Sequence, residues 1–140
     1  MQTVSAGRLI ESFAFTPDNQ LFFIGPDSRE DIEVRDLQTL KVVQRIRDNE
    51  VGSMTVGNMH LLNDGKTLVA GNSISYDWRA LSVKDRLHFW NIESGKILRK
   101  FDFTRHEVSR VAVSPDGRYL VATLNGGHKF LIAGWDLQKE

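Results

Sequence analysis

The sequence predicts an all-β chain, an array of three four-stranded antiparallel sheets of which the last lacks its outer strand. Three observations predict it. One phrase of alternating apolar and polar residues, broken by an aspartate-centred turn, recurs three times without a gap. A second phrase, rich in β-branched and aromatic residues, follows each copy of the first. The composition, 41% hydrophobic and 26% charged over 140 residues, is that of one folded globular domain.

The first phrase reads IESFAFTPDNQLFFIG from Ile10, VGNMHLLNDGKTLVAG from Val56 and VSRVAVSPDGRYLVAT from Val108. Before the turn, apolar residues fall at Ile10, Phe13 and Phe15, at Val56, Met59 and Leu61, and at Val108, Val111 and Val113. The turns PDN, NDG and PDG place Asp18, Asp64 and Asp116 at their centres, with Gly117 supplying the positive backbone angle in the third. Each copy is therefore a β-hairpin.

Third strands follow in DIEVRDL ending at Leu37, RLHFWNI ending at Ile92 and FLIAGWDL ending at Leu137. After the first two come the matched tails QTLKVVQRI and ESGKILRKF, which supply fourth strands. The first tail also fits a helix, because Leu37, Leu40, Val43 and Ile46 would share one face. Ser94-Gly95-Lys96, at the equivalent place in the second tail, is hairpin chemistry, so both tails are assigned as strand.

Successive turn aspartates lie 46 residues apart, from 18 to 64, and then 52 apart, from 64 to 116. Four-stranded propeller blades run about 40 to 45 residues. The excess falls on the second copy and points to an insertion in NSISYDWRALSVKD, between its second and third strands. The blades then span about residues 8–49, 54–104 and 105–140 of a single domain.

With these elements in place the chain resembles the WD-repeat β-propeller family. Trp135-Asp136 matches the family dipeptide, with Trp90-Asn91 and Arg35-Asp36 in the same place in the other copies, and Arg105-His106 stands where the family usually has Gly-His. The resemblance implies a β-propeller-like array whose rims and central opening present loop residues to protein or peptide partners, without catalysis. It also implies a network of histidine, hydroxyl, aspartate and tryptophan, of which only the third copy supplies His106, Thr123 and Trp135, with no aspartate in its NGGHK turn. The first copy has Arg8 and Gly25 at the corresponding points, and the second has Met54 and Gly71.

Eighteen basic residues balance eighteen acidic ones, so no overall field draws in nucleic acid or an anionic membrane. Cysteine is absent, which excludes a disulfide framework and thiolate metal sites. The start MQTVSAGRLIES lacks the basic and apolar pattern of a signal peptide, and no apolar run reaches about 18 residues. A cytoplasmic protein is expected.

No motif carries metal, cofactor or catalytic chemistry. His60, His88, His106 and His128 lack ligand spacing, and DGKT from Asp64 has His60 where a phosphate loop needs its first glycine. The acidic stretch PDSREDIE is interrupted by Arg29 and lacks calcium-loop spacing. The insertion alone has surplus chemistry: Tyr76, Trp78 and Arg79 are residue types enriched at interface hot spots, and they serve either as a partner contact or as a cap on their own blade.

Two function classes stay open. One is a non-catalytic protein-interaction scaffold. The other is a partial propeller from a larger enzyme or ligand-binding protein whose active residues lie on other blades. Three blades cannot close a ring, since propellers use about four to eight. The array is completed either by a homodimer of six blades, with MQTV as a strand for the neighbouring copy, or by a longer polypeptide.

Overall fold

Each recurring phrase folds as the hairpin its turn dictates. The residue after each turn aspartate, Asn19, Gly65 or Gly117, has a positive φ of 57°, 64° or 71°. The aspartate carboxylates cap the turns, Asp18 accepting from the Gln20 amide, Asp64 from those of Lys66 and Thr67, and Asp116 from that of Arg118. The computed structural model describes residues 1–26, 31–47, 55–73, 84–104, 106–126 and 129–139.

The hairpins are β1 (Ile10–Phe15) with β2 (Leu21–Pro26), β5 (Thr55–Leu61) with β6 (Thr67–Ser73), and β9 (Glu107–Val113) with β10 (Tyr119–Gly126). The second phrases become β3 (Ile32–Asp36), β7 (Lys84–Asn91) and β11 (Lys129–Asp136), and the two tails become β4 (Val42–Ile46) and β8 (Ile97–Thr104). The strands form antiparallel meanders β1-β2-β3-β4, β5-β6-β7-β8 and β9-β10-β11. The expected array of three blades, the last with three strands, is the observed architecture. Residues 74–83 separate β6 from β7, so the extra length of the second copy lies where its sequence placed it.

The tail of the first copy is strand rather than helix. Asp36 Oδ1 accepts from the Gln38 and Thr39 amides, and the Leu40 amide closes onto the Asp36 carbonyl. Asn91 does the same for the Ser94 amide, and Gly95 closes onto the Asn91 carbonyl. The terminal dipeptide thus earns its polar second residue as the cap of the outer turn.

The blades stack face to face, with β5 packed on both β1 and β9. We call the face turned to the next blade in chain order the back and the other the front. The back of blade one and the front of blade two share a core of Phe23, Ile32, Val34 and Ile46 with Val56, Leu68 and Trp90. The back of blade two and the front of blade three share Val69, Leu87 and Phe89 with Val108, Val111 and Leu120. Polar clips cross both junctions: Ser12 Oγ donates to the Val56 carbonyl and Gln44 Nε2 to that of Ile92, while Asn63 Nδ2 donates to that of Pro115.

A glycine in the second strand sets the distance between blades. A Cβ on Gly71 would lie 2.7 Å from Val108 Cγ1, and one on Gly25 would lie 3.0 Å from the Val56 carbonyl oxygen. The glycines that stand in blades one and two where the resemblance implies a hydroxyl therefore admit the next blade's first strand.

Residues 1–9 carry no strand, so MQTV pairs with no sheet of its own chain. Among the described residues, no helix is long and apolar enough to cross a membrane.

Candidate functional site

The first strand of every blade departs from its two-residue alternation at the same repeat position. One extra residue enters β1 between Ile10 and Ser12, β5 between Val56 and Met59, and β9 between Val108 and Arg110. Each is a β-bulge, which bends the strand, interrupts its ladder and re-aims the neighbouring side chains. Because β1, β5 and β9 adjoin one another, the three bulges line up across the blades.

A cavity of about 200 Å³ opens beside them, lined by Glu11, Gly57, Asn58, Glu107, Val108, Ser109 and Arg110. Its chemistry is polar and of mixed charge. Arg110 Nη1 donates to Asn58 Oδ1 at 3.1 Å, which ties blade three to blade two across the cavity. Behind Ser109 runs a second chain of hydrogen bonds: its hydroxyl pairs with that of Thr123 at 2.8 Å and accepts from Asn125 Nδ2 at 3.1 Å. The Ser109 side chain is thereby fixed in place, whereas Glu11, Glu107 and Arg110 are exposed. Carboxylates and a guanidinium on one wall can pair with a charged side chain and with the main chain of an extended peptide.

The structure distributes the residues singled out in the sequence over three roles. Asp18, Asp64 and Asp116 are turn caps. The Thr16 hydroxyl and then the Gln20 amide hold the Asp18 carboxyl below its ordinary range, and the Ser114 hydroxyl and then the Arg118 amide do so for Asp116. Burial works to raise Asp64, but the Thr67 hydroxyl and two amides outweigh it and leave the carboxyl lowered. Asp136 is lowered chiefly by its hydrogen bond from Arg118, whose Nη2 lies 3.0 Å away.

Trp90 is fully buried, its ring edge-on to His88 at 5.1 Å, and its Nε1 has no hydrogen-bond partner among the described residues. Trp135 is half-buried against Phe101 and Phe103. In blade one the tryptophan place belongs to Arg35, which pairs with Glu33 at 2.7 Å; Arg8 and Arg45 reach the same carboxylate at 2.8 and 3.0 Å. Burial alone would raise Glu33, yet the arginines hold it below its usual range. Blade one thus closes its outer front with an ionic cluster where blades two and three use an aromatic ring.

The hydroxyl of Thr123 is bonded to Ser109. Tyr76, Trp78 and Arg79, like Arg105 and His128, lie outside the described residues. No group of three histidine or acidic side chains gathers to hold a metal ion among the described residues.

The bulged wall went unnoticed in the sequence, although a signal was there. The apolar positions step by three and then by two, as in Val56, Met59 and Leu61. In a strand whose faces alternate, a step of three requires one extra residue.

No family model and no curated protein matches the chain. Among solved structures it is similar to Kuenenia stuttgartiensis hydrazine synthase, with a TM-score of 0.69 and 20% sequence identity over 87% of this chain. The match covers 37% of that protein's chain, so this chain spans little over a third of its length. At that identity the likeness is one of fold, and it agrees with a propeller-like blade array.

Proposed function

We propose that the chain is a WD-repeat-type propeller module of the cytoplasm, non-catalytic, whose bulged inner strands receive protein or peptide partners. The observation that carries this reading is the alignment of the three bulges beside a polar cavity. Bulges are common at sheet edges, and the outer strands β4 and β8 carry one each. Those of β1, β5 and β9 differ in lying beside a polar cavity, where a bulge frees main-chain groups and turns side chains outward. Glu11 and Glu107 outnumber Arg110 on that wall, which favours a peptide bearing a lysine or arginine.

Panning a random-peptide display library against the intact chain tests the reading. Basic peptides should be enriched and should lose at least about tenfold in affinity, or 1.4 kcal/mol, to a chain carrying both Glu11→Lys and Glu107→Lys. Failure to enrich any peptide, or equal binding by that variant, overturns it.

A second reading, a piece of a larger propeller enzyme, draws on the name of the structural neighbour, a synthase. On that reading the inner wall meets a small molecule, and peptides would not select for Glu11 and Glu107.

A further inference from the structure

The two internal junctions of this chain show what the back of a blade packs against, and among the described residues nothing lies on the third back. Position by position the repeat gives the same residue types and opposite exposures. Ile32 and Leu87, 1% and 0% exposed, correspond to Ile132, which is 82% exposed. Phe23 and Val69, both 0% exposed, correspond to Val121 at 45%. Phe130 is exposed on the same face as Ile132, two residues along β11. At the other end of the array the mismatch recurs on a front. Met59 and Val111, 3% and 2% exposed, correspond to Phe13 at 54%, and Phe15 beside it is also exposed.

We propose that a second copy of this chain covers both flanks, the back of blade three in each copy seating on the front of blade one in the other. The internal junctions identify the occupant. What buries Ile32, Phe23, Leu87 and Val69 is the front of a blade of this same repeat, and among the described residues the first strand of one such front is exposed, with Phe13 and Phe15 where Met59 and Val111, then Leu61 and Val113, make the internal contacts. A two-fold axis satisfies both flanks at once with two identical contacts and brings six blades together.

The ionic cluster does not obstruct this seat. Glu33 and Arg35 are already buried within their own chain, farther out on the blade than Phe13 and Phe15. Thr123 stands where Gly25 and Gly71 admit the next blade's valine, so the contact between copies is more open than the internal ones and the pair is dissociable.

The proposal is independent of the peptide reading and is tested by mass in solution. Light scattering on the gel-filtered chain should give twice the 15.9 kDa chain mass. Ile132→Asp and Phe13→Lys, at side chains exposed in the single copy, should each raise the dimer dissociation constant at least about a hundredfold, or 2.7 kcal/mol. Both variants should keep the β-sheet circular dichroism spectrum.

Mixing the two variants should restore a dimer, because the mixed pair has one unaltered contact and one in which aspartate faces lysine. A merely misfolded variant would not be rescued in this way. A wild-type chain that stays at single-copy mass up to its solubility limit overturns the proposal. So does a dimer that survives both substitutions, or a mixture that fails to reassociate.

Discussion

The backs of blades two and three come from the same repeat, in the same register, and differ in what lies on them. Blade two turns Val69, Leu87 and Phe89 into the shared core, with Gly71 letting Val108 approach. Blade three presents Val121, Ile132 and Gly134 at the same points, with Thr123 in place of the glycine. The strand pattern is therefore a property of the repeat, whereas burial belongs to the junction. An apolar residue in the right phase stabilises nothing until a neighbouring blade arrives.

The strongest way to break that comparison is to truncate the paired positions. Leu87→Ala should destabilise the chain by about 3 kcal/mol, through lost transfer energy and the cavity left against Val108 and Leu120. Ile132→Ala should cost less than about 0.5 kcal/mol in chain diluted to single copies, since an exposed side chain has little to lose. Urea unfolding of both variants checks this. Equal losses would mean that the flank of blade three is already covered within one chain.

Exchanging the second-strand residues is the next test. Gly71→Thr should cost about 2 to 3 kcal/mol, because its branched side chain must displace Val108 in a filled interface. The converse Thr123→Gly forfeits one hydroxyl bond to Ser109 and some backbone order, about 1 kcal/mol in all. If both changes cost the same by thermal unfolding, glycine is not what sets the blade spacing.

How far the sequence reaches follows from the same contrast. The hairpins, the third strands and the insertion were legible because turn chemistry and alternation are local. The ambiguous first tail was resolved by borrowing Gly95 from its sister repeat. Junction partners were not legible, because Phe13 and Met59 carry the same apolar signal, although only Met59 is covered. The bulged wall was half visible, in the three-residue steps between apolar positions. The ionic replacement in blade one was hidden, since Arg8, Glu33 and Arg45 are distant in sequence and only pairing of β3 with β4 and the course of the first residues unite them.

A finer comparison concerns the hairpin turns of the same two blades. Gly65 and Gly117 share their positive φ, yet a Cβ on Gly65 would meet nothing within 4 Å, while one on Gly117 would lie 3.0 Å from Asn63 Nδ2. Gly65→Ala should therefore cost about 1 kcal/mol, from backbone strain alone. Gly117→Ala should cost up to about 2 kcal/mol, because Asn63 must also loosen its bond to the Pro115 carbonyl. Equal melting temperatures would remove the Asn63 clip from the account of the junction.

The smallest expected effect is a gain, and it moves the comparison to the outer turns of blades one and two. Leu40 has a φ of 58° at the position where Gly95 has 68°, and both amides close onto the carbonyl four residues back. The left-handed conformation costs a leucine roughly 1 to 2 kcal/mol, whereas glycine adopts it without strain. Glycine also gives the unfolded chain more freedom, which returns roughly 0.4 to 1 kcal/mol to the other side. Leu40→Gly should therefore stabilise blade one by about 0.5 kcal/mol net of these two effects. Chemical denaturation should move its midpoint upward, while Gly95→Leu should move it downward by a larger amount. If Leu40→Gly instead destabilises, the leucine side chain contributes packing to β4 that outweighs its backbone strain, and the two outer turns are equivalent in shape but not in what holds them.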